Sequence, residues 1–199
     1  HIGLASAEDS FEITDLRIKE FKNARDFELL KPEQLYWNNT DEANPVIAVR
    51  DESQKIIATL RLIRVNDLRE TSNKLEADIP VKVSFPGLVF NAAATRKSFR
   101  RQGFNQLLRY YSIQAAMGHK IQCLFSPVYQ TAPRVAFMEK LGYSCHVFTN
   151  TWQNKLAPHC PRVLAVLGQD RFLTALSILE KAIPDLIKKF PWKGNPIHL

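Results

Sequence analysis

The sequence predicts a mixed α/β domain, a twisted sheet flanked by helices. Residues 46–65 read as a β-hairpin, two apolar runs around a polar turn. After Arg100 the apolar spacing changes from that of a strand to that of a helix. Beyond that point strand and helix patterns alternate, and the chain ends helical.

Residues 11–18 alternate apolar and polar and are expected to form the first strand. Residues 19–40 carry Phe21, Phe27, Leu29, Leu30 and Leu35 and read as helical or irregular, broken at Pro32. The hairpin follows, with a turn at residues 51–55 that lacks glycine and is therefore a longer loop. Residues 66–80 are polar and charged, as in a surface excursion, and residues 81–95 are β-rich with a bend at Pro86-Gly87. Leu107, Leu108, Tyr111 and Ala115 fall on one face of a helix that Gly118 can end. Residues 121–125 form a short buried strand, and residues 131–141 a helix with Pro133 near its start and Gly142 past its end. Residues 143–152 are β-like. A last helix starts near Asp170 as N-cap, with Phe172, Leu173, Leu176, Leu179 and Ile183 as its stripe.

At 199 residues, 45% hydrophobic and 24% charged, the chain suits one soluble domain and is not disordered throughout. No apolar stretch approaches the ~20 residues that span a bilayer. The first ten residues lack a secretory pattern, and a start at His1 points to a processed or truncated chain. Cys123, Cys145 and Cys160 form no even framework, so reduced thiols and a cytoplasmic location are expected. Cys145-His146 and His159-Cys160 could be drawn as zinc ligands, but adjacent strand residues point to opposite faces, and no metal site is expected.

The net charge of +7 is concentrated at Arg96, Lys97, Arg100, Arg101 and Arg109, around Gly103. Here a strand runs out, a short basic turn follows, and a helix begins. The first amides of a helix lack intrahelical partners and lie at the positive end of its dipole. A pyrophosphate can therefore rest on the N–H groups of Arg101, Gln102, Gly103, Phe104 and Asn105, with Gly103 letting it approach without a Cβ in the way. Arg100 and Arg101 add charge, and the small Ala92, Ala93 and Ala94 leave room beside the strand end.

This stretch resembles the acyl-CoA motif of the GNAT superfamily, Arg/Gln-x-x-Gly-x-Gly/Ala, matched at Arg100, Gly103 and, with a departure from the small final residue, Asn105. Residues 136–143 resemble the family's helix-to-strand signature, and residues 57–62 its central hairpin, so the likeness covers residues 46–148. It implies a mostly antiparallel sheet in a GNAT-like acyltransferase domain at residues 1–155, with a C-terminal helical extension at 156–199 packed on it. It also implies acetyl-CoA or another acyl-CoA as cosubstrate, a small-molecule amine acceptor, and pantetheine contacts from the backbone of Ala93, Ala94 and Thr95.

Transfer to an amine needs a base for the amine and an acid for the departing thiolate. The family often places a tyrosine at the position of Met138, which cannot donate a proton, and residues 85–99 hold no carboxylate. Tyr129, Ser126, Cys123, His119 and His146 remain as polar candidates, with Tyr129 the leading acid. The resemblance extends to acyl-homoserine-lactone and N-acyl amino acid synthases, which implies acyl carrier protein as an alternative donor partner. The extra helices also suit a homodimer contact. A CoA-binding sensor without catalysis is a further alternative. Nucleic-acid binding is disfavoured, since Phe99 and Phe104 fall at apolar motif positions rather than on an exposed stacking surface.

Overall fold

The computed structural model describes residues 1–22, 35–130, 133–148 and 161–199. One seven-stranded sheet organises them, in the order β1-β2-β3-β4-β5-β7-β6. Its strands are β1 (Ile2–Leu4), β2 (Val46–Arg50), β3 (Ile56–Val65), β4 (Gly87–Thr95), β5 (Cys123–Tyr129), β6 (Ser144–Val147) and β7 (Arg162–Gly168). Every pairing is antiparallel except β4 with β5. The helices are α1 (Ser10–Phe21), α2 (Asn39–Glu42), α3 (Leu68–Leu75), α4 (Phe104–Gly118), α5 (Pro133–Lys140), α6 (Phe172–Ala182) and α7 (Pro184–Lys189). The mixed, mostly antiparallel sheet and the C-terminal helices are as the sequence predicts.

The hairpin forms as expected. Its glycine-free loop closes because the Asp51 carboxylate accepts from the Ser53 and Lys55 amides, while Gln54 takes φ 67°. Residues 11–18 are not a strand but lie in α1. Ile13, Leu16 and Arg17 are its buried residues, a helical spacing, while Phe11 is 84% exposed. The apparent alternation came from Phe11 and Ile18, which do not share the buried face. Residues 66–80 do lie outside the sheet, yet Asp67 caps a helix there by accepting from the Glu70 amide at 2.7 Å.

The strand expected at 121–125 runs from Cys123 to Tyr129, through Pro127. A proline is tolerated because β5 has a partner on one side only at that point. β7, in a stretch expected to be helical, pairs with both β5 and β6. Its residues 163–167 are buried on both faces, so they show no alternation. The predicted Asp170 cap is replaced by a short 3₁₀ turn at Gln169–Arg171, and α6 has no side-chain cap. The expectations at Phe27, Leu29, Leu30 and Pro32, at residues 131–132 and 149–152, and for His159 and Cys160 lie outside the described residues.

Leu107, Leu108 and Ile113 of α4, Met138 of α5 and Phe172 of α6 pack with Leu60, Leu88 and Leu124 on one face of the sheet. Ile13 and Leu16 of α1 pack with Ile56 and Ala94 on the other. The C-terminal tail lies along β1, where Lys193 N–H donates to Ile2 O at 2.8 Å, which covers that edge.

Candidate active site

A cleft of about 1140 Å³ opens where β4 and β5 part. The two strands pair only at Gly87–Cys123, Leu88–Leu124 and Val89–Phe125. Beyond that point β4 stays with β3 as far as Thr95, and β5 stays with β7 as far as Tyr129. The strands therefore form a wedge whose inner backbone edges no longer bond each other.

A bulge sharpens it. Thr59 pairs with Ala94 and Arg61 with Asn91, so two steps on β3 face three on β4. Ala92 takes up the extra residue at φ 49°, a left-handed conformation that costs a non-glycine residue about 1–3 kcal/mol. Ala93, Ala94 and Thr95 all border the cleft, where small side chains leave it open.

The basic turn and the start of α4 stand at its mouth. Arg101 and Gly103 both take positive φ, 65° and 89°, which turns the chain abruptly into the helix. Among the described residues the amides of Gly103, Phe104 and Asn105 have no protein acceptor, as expected at a helix start. Arg100, Arg101, Gly103, Phe104 and Asn105 border the cleft. Gln102 does not, because its side chain turns back to Ser98 O at 2.9 Å. Arg100 is engaged with Glu20 of α1 at 2.5 Å, so Arg101, which is exposed, is the readier cation.

Glycine at 103 has a packing reason that the sequence did not show. A Cβ there would meet Ile183 Cγ2 and Leu186 Cδ1, both at 2.8 Å, and Gln106 Oε1 at 3.2 Å. The C-terminal helices thus brace the turn from behind. Phe104 is buried between Phe99 and Phe190 in edge-to-face contacts at 5.7 and 5.4 Å, so it is not displayed for stacking on bases.

The cleft wall holds residues that the sequence reading left without a role. Arg109 is buried and donates from Nε to Asn105 Oδ1 at 3.1 Å and from a terminal nitrogen to Ser126 Oγ at 2.9 Å. Its guanidinium also sits 5.3 Å from the Phe90 ring centroid. The available signal was spacing: Asn105, Arg109, Ser112 and Ala116 recur every three or four residues, a polar and small stripe facing the strands. Arg134, at the start of α5, borders the same cleft. On the opposite face Asp41 receives two arginines, Arg17 at 2.7 Å and Arg61 at 3.0 Å, and Arg61 also reaches Asn91. Burial, then Arg17, lowers the Arg61 pKa, while Asp41 opposes this.

Of the proton-handling candidates, Tyr129 and Ser126 border the cleft. The Tyr129 hydroxyl lies 3.5 Å from an Arg162 nitrogen, and the guanidinium stands 5.2 Å from its ring centroid. The other three lie elsewhere. His119 bonds Ile197 O at 2.6 Å beyond the far end of α4. His146 faces Ser144 on the edge strand. Cys123 bonds Ser84 O, and burial pushes its thiol up to about 12. Met138 is fully buried in the core.

Among the described residues no group of three potential metal-binding side chains occurs, and no helix is long and apolar enough to cross a membrane.

No protein-family model and no curated protein matches the sequence. Solved structures do. A CoA-dependent acyl-homoserine lactone synthase, BjaI, with SAM and isopentyl-CoA, aligns over 100% of this chain and 94% of its own, with TM-score 0.67 and 14% identity. A second CoA-dependent synthase, MesI, aligns over 92% and 95%, with TM-score 0.59 and 13% identity. An N-acetyltransferase from Staphylococcus aureus Mu50 aligns over 85% and 98%, with TM-score 0.60 and 11% identity. This likeness, together with the mixed sheet and its flanking helices, shows the fold: the chain has the GNAT fold that its sequence resembles, in common with these N-acetyltransferase and acyl-homoserine lactone synthase structures.

Proposed function

We propose that this protein is an N-acyltransferase that moves an acyl group from a CoA thioester to an amine. The observation that carries this reading is the wedge between β4 and β5, with the start of α4 at its mouth. Phosphates would rest on the amides of residues 103–105 beside Arg101, where unpaired N–H groups and the helix dipole favour anions. The thioester arm would lie along Ala93, Ala94 and Thr95 and bond the backbone edge that β5 has left. The amine lone pair then forms a C–N bond to the carbonyl carbon, the C–S bond breaks, and the thiolate takes up a proton.

Tyr129 is the acid this reading favours, because it borders the cleft and Arg162 would stabilise the phenolate left behind. The cleft-bordering carboxylates among the described residues are Glu20 and Glu76, and Glu20 is held by Arg100. Water can therefore serve as base, with rate gained from holding the two reactants together.

A synthase of the acyl-homoserine-lactone type is the second reading, supported by an alignment that spans the whole chain for BjaI and 85% of it for the acetyltransferase. Acyl carrier protein would then be the alternative donor.

Calorimetric titration with CoA tests the donor. Binding by the parent protein, weakened tenfold or more in Arg101→Glu at low salt and less at high salt, is the expected result. Undiminished binding in that variant would move the phosphates elsewhere.

A further inference from the structure

Arg109 is a cation that the described protein does not neutralise. It is 1% exposed, yet it borders the cleft. Its partners are Asn105 Oδ1, Ser126 Oγ and, at 3.4 Å, the Tyr143 hydroxyl, with the Phe90 and Tyr143 rings beside it. All of these are neutral, and among the described residues no carboxylate lies within ion-pairing distance. Other arginines are treated differently: Arg17 and Arg61 share Asp41, Arg50 meets Asp9, Arg96 meets Glu12 and Arg100 meets Glu20.

The surroundings add positive potential rather than relieving it. Helix side chains lean toward the N-terminus, so the guanidinium points to the positive end of the α4 dipole. Arg134 borders the same cleft from the start of α5. Its charge is repelled by those of Arg109 and Arg100. Burying a guanidinium with no counter-charge is expensive, and such an arrangement marks a place where a ligand supplies the missing charge.

We propose that Arg109, Arg134 and the Ser126 hydroxyl form a carboxylate-binding subsite inside the cleft, so that one of the two reactants carries a carboxylate. The inference rests on the acyl-transfer reading and names its substrate class. A phosphate of the donor already has the amides of 103–105 and Arg101. Arg109 instead reaches inward from α4 to Ser126, where the strands first part and the donor's uncharged arm would run. A guanidinium presents a planar fork that matches a carboxylate. The carboxylate has two sources: an acyl chain that ends in one, or an amine acceptor of the amino-acid type.

Calorimetry and turnover assays on the parent, Arg109→Gln, Arg109→Lys and Arg134→Gln separate these. One arm compares succinyl-CoA with acetyl-CoA. The other supplies acetyl-CoA and compares a panel of L-amino acids with their amides. The parent should prefer the acid of one pair at least tenfold, which identifies the source. Both Gln variants should lose that preference while binding CoA within threefold of the parent, and Arg109→Lys should keep part of it. No preference in either arm overturns the proposal. So does an equal loss of CoA, acetyl-CoA and succinyl-CoA affinity in the Gln variants, which would assign Arg109 to the donor's phosphates. Arg134 is exposed, so Arg134→Gln keeps the test decisive if Arg109→Gln fails to fold. If the parent binds no CoA, the donor reading falls, and thermal shifts with the amino acids and amides alone still decide the subsite.

Discussion

Replacing Gly103 with alanine separates bracing from ligand contact. The added Cβ would lie 2.8 Å from both Ile183 Cγ2 and Leu186 Cδ1, closer than real Cβ atoms come. Overpacking of this kind costs about 1–3 kcal/mol. Holding an L-residue at φ 89° adds about 1–2 kcal/mol. The sum, about 2–5 kcal/mol, lowers Tm by roughly 2–4 °C per kcal/mol in a chain of this size. Scanning calorimetry of the free protein reads that loss. The double variant Gly103→Ala/Leu186→Ala should be more stable than the two single losses predict, by about 1 kcal/mol, because it removes one of the two close contacts. The Kd for CoA, measured well below both melting points, should worsen only as far as the turn is displaced. An unchanged Tm with a large loss of CoA affinity would refute the argument, since it would mean that the Cβ faces the ligand after all.

Tyr129→Phe should lower turnover about a hundredfold or more with donor affinity intact, whereas Met138→Leu should stay within a few-fold; steady-state kinetics on both distinguishes an acid at Tyr129 from one supplied by solvent. Asp41→Asn leaves two buried guanidinium groups facing each other and should cost about 3–5 kcal/mol in chemical denaturation, with normal stability as the contrary result. Cys123 should resist alkylation in the native state at pH 8. Its thiol stays protonated in the folded protein to about pH 12 but ionises from 9.0 when unfolded. Its contribution to stability is therefore intact below pH 9 and lost as pH rises from 9 to 12; parallel pH–stability curves for the parent and Cys123→Ala over that window would contradict the assignment.

The segment with the most information in the sequence was the one where several weak signals coincide: a strand end, three alanines, a basic turn and a glycine before a helical period. Structure places eight of its nine expected ligand residues on the cleft, and the exception, Gln102, is decided by a hydrogen bond back to Ser98 that no spacing encodes. Local periodicity failed where burial ignores it. Residues 11–18 alternate by accident of two unburied apolar side chains. Residues 163–167 are apolar throughout, a pattern a buried helix would share. Arg109 was legible as a charge but not as a buried one, because its depth depends on Phe90, Ser126 and Tyr143, brought in from three other segments. The packing behind Gly103 was hidden for the same reason, since its steric partners lie eighty residues away.

That last distance bears on how the protein is made. Residues 100–105 leave the ribosome long before Ile183 and Leu186, so the turn first exists without the side chains that close behind it. A nascent chain can assemble β2 to β4 and begin α4, but the mouth of the cleft acquires its backing only when α7 has been synthesised. Chains stalled or clipped before Ile183 should accordingly accumulate as folded sheets whose cleft mouth has nothing packed behind it.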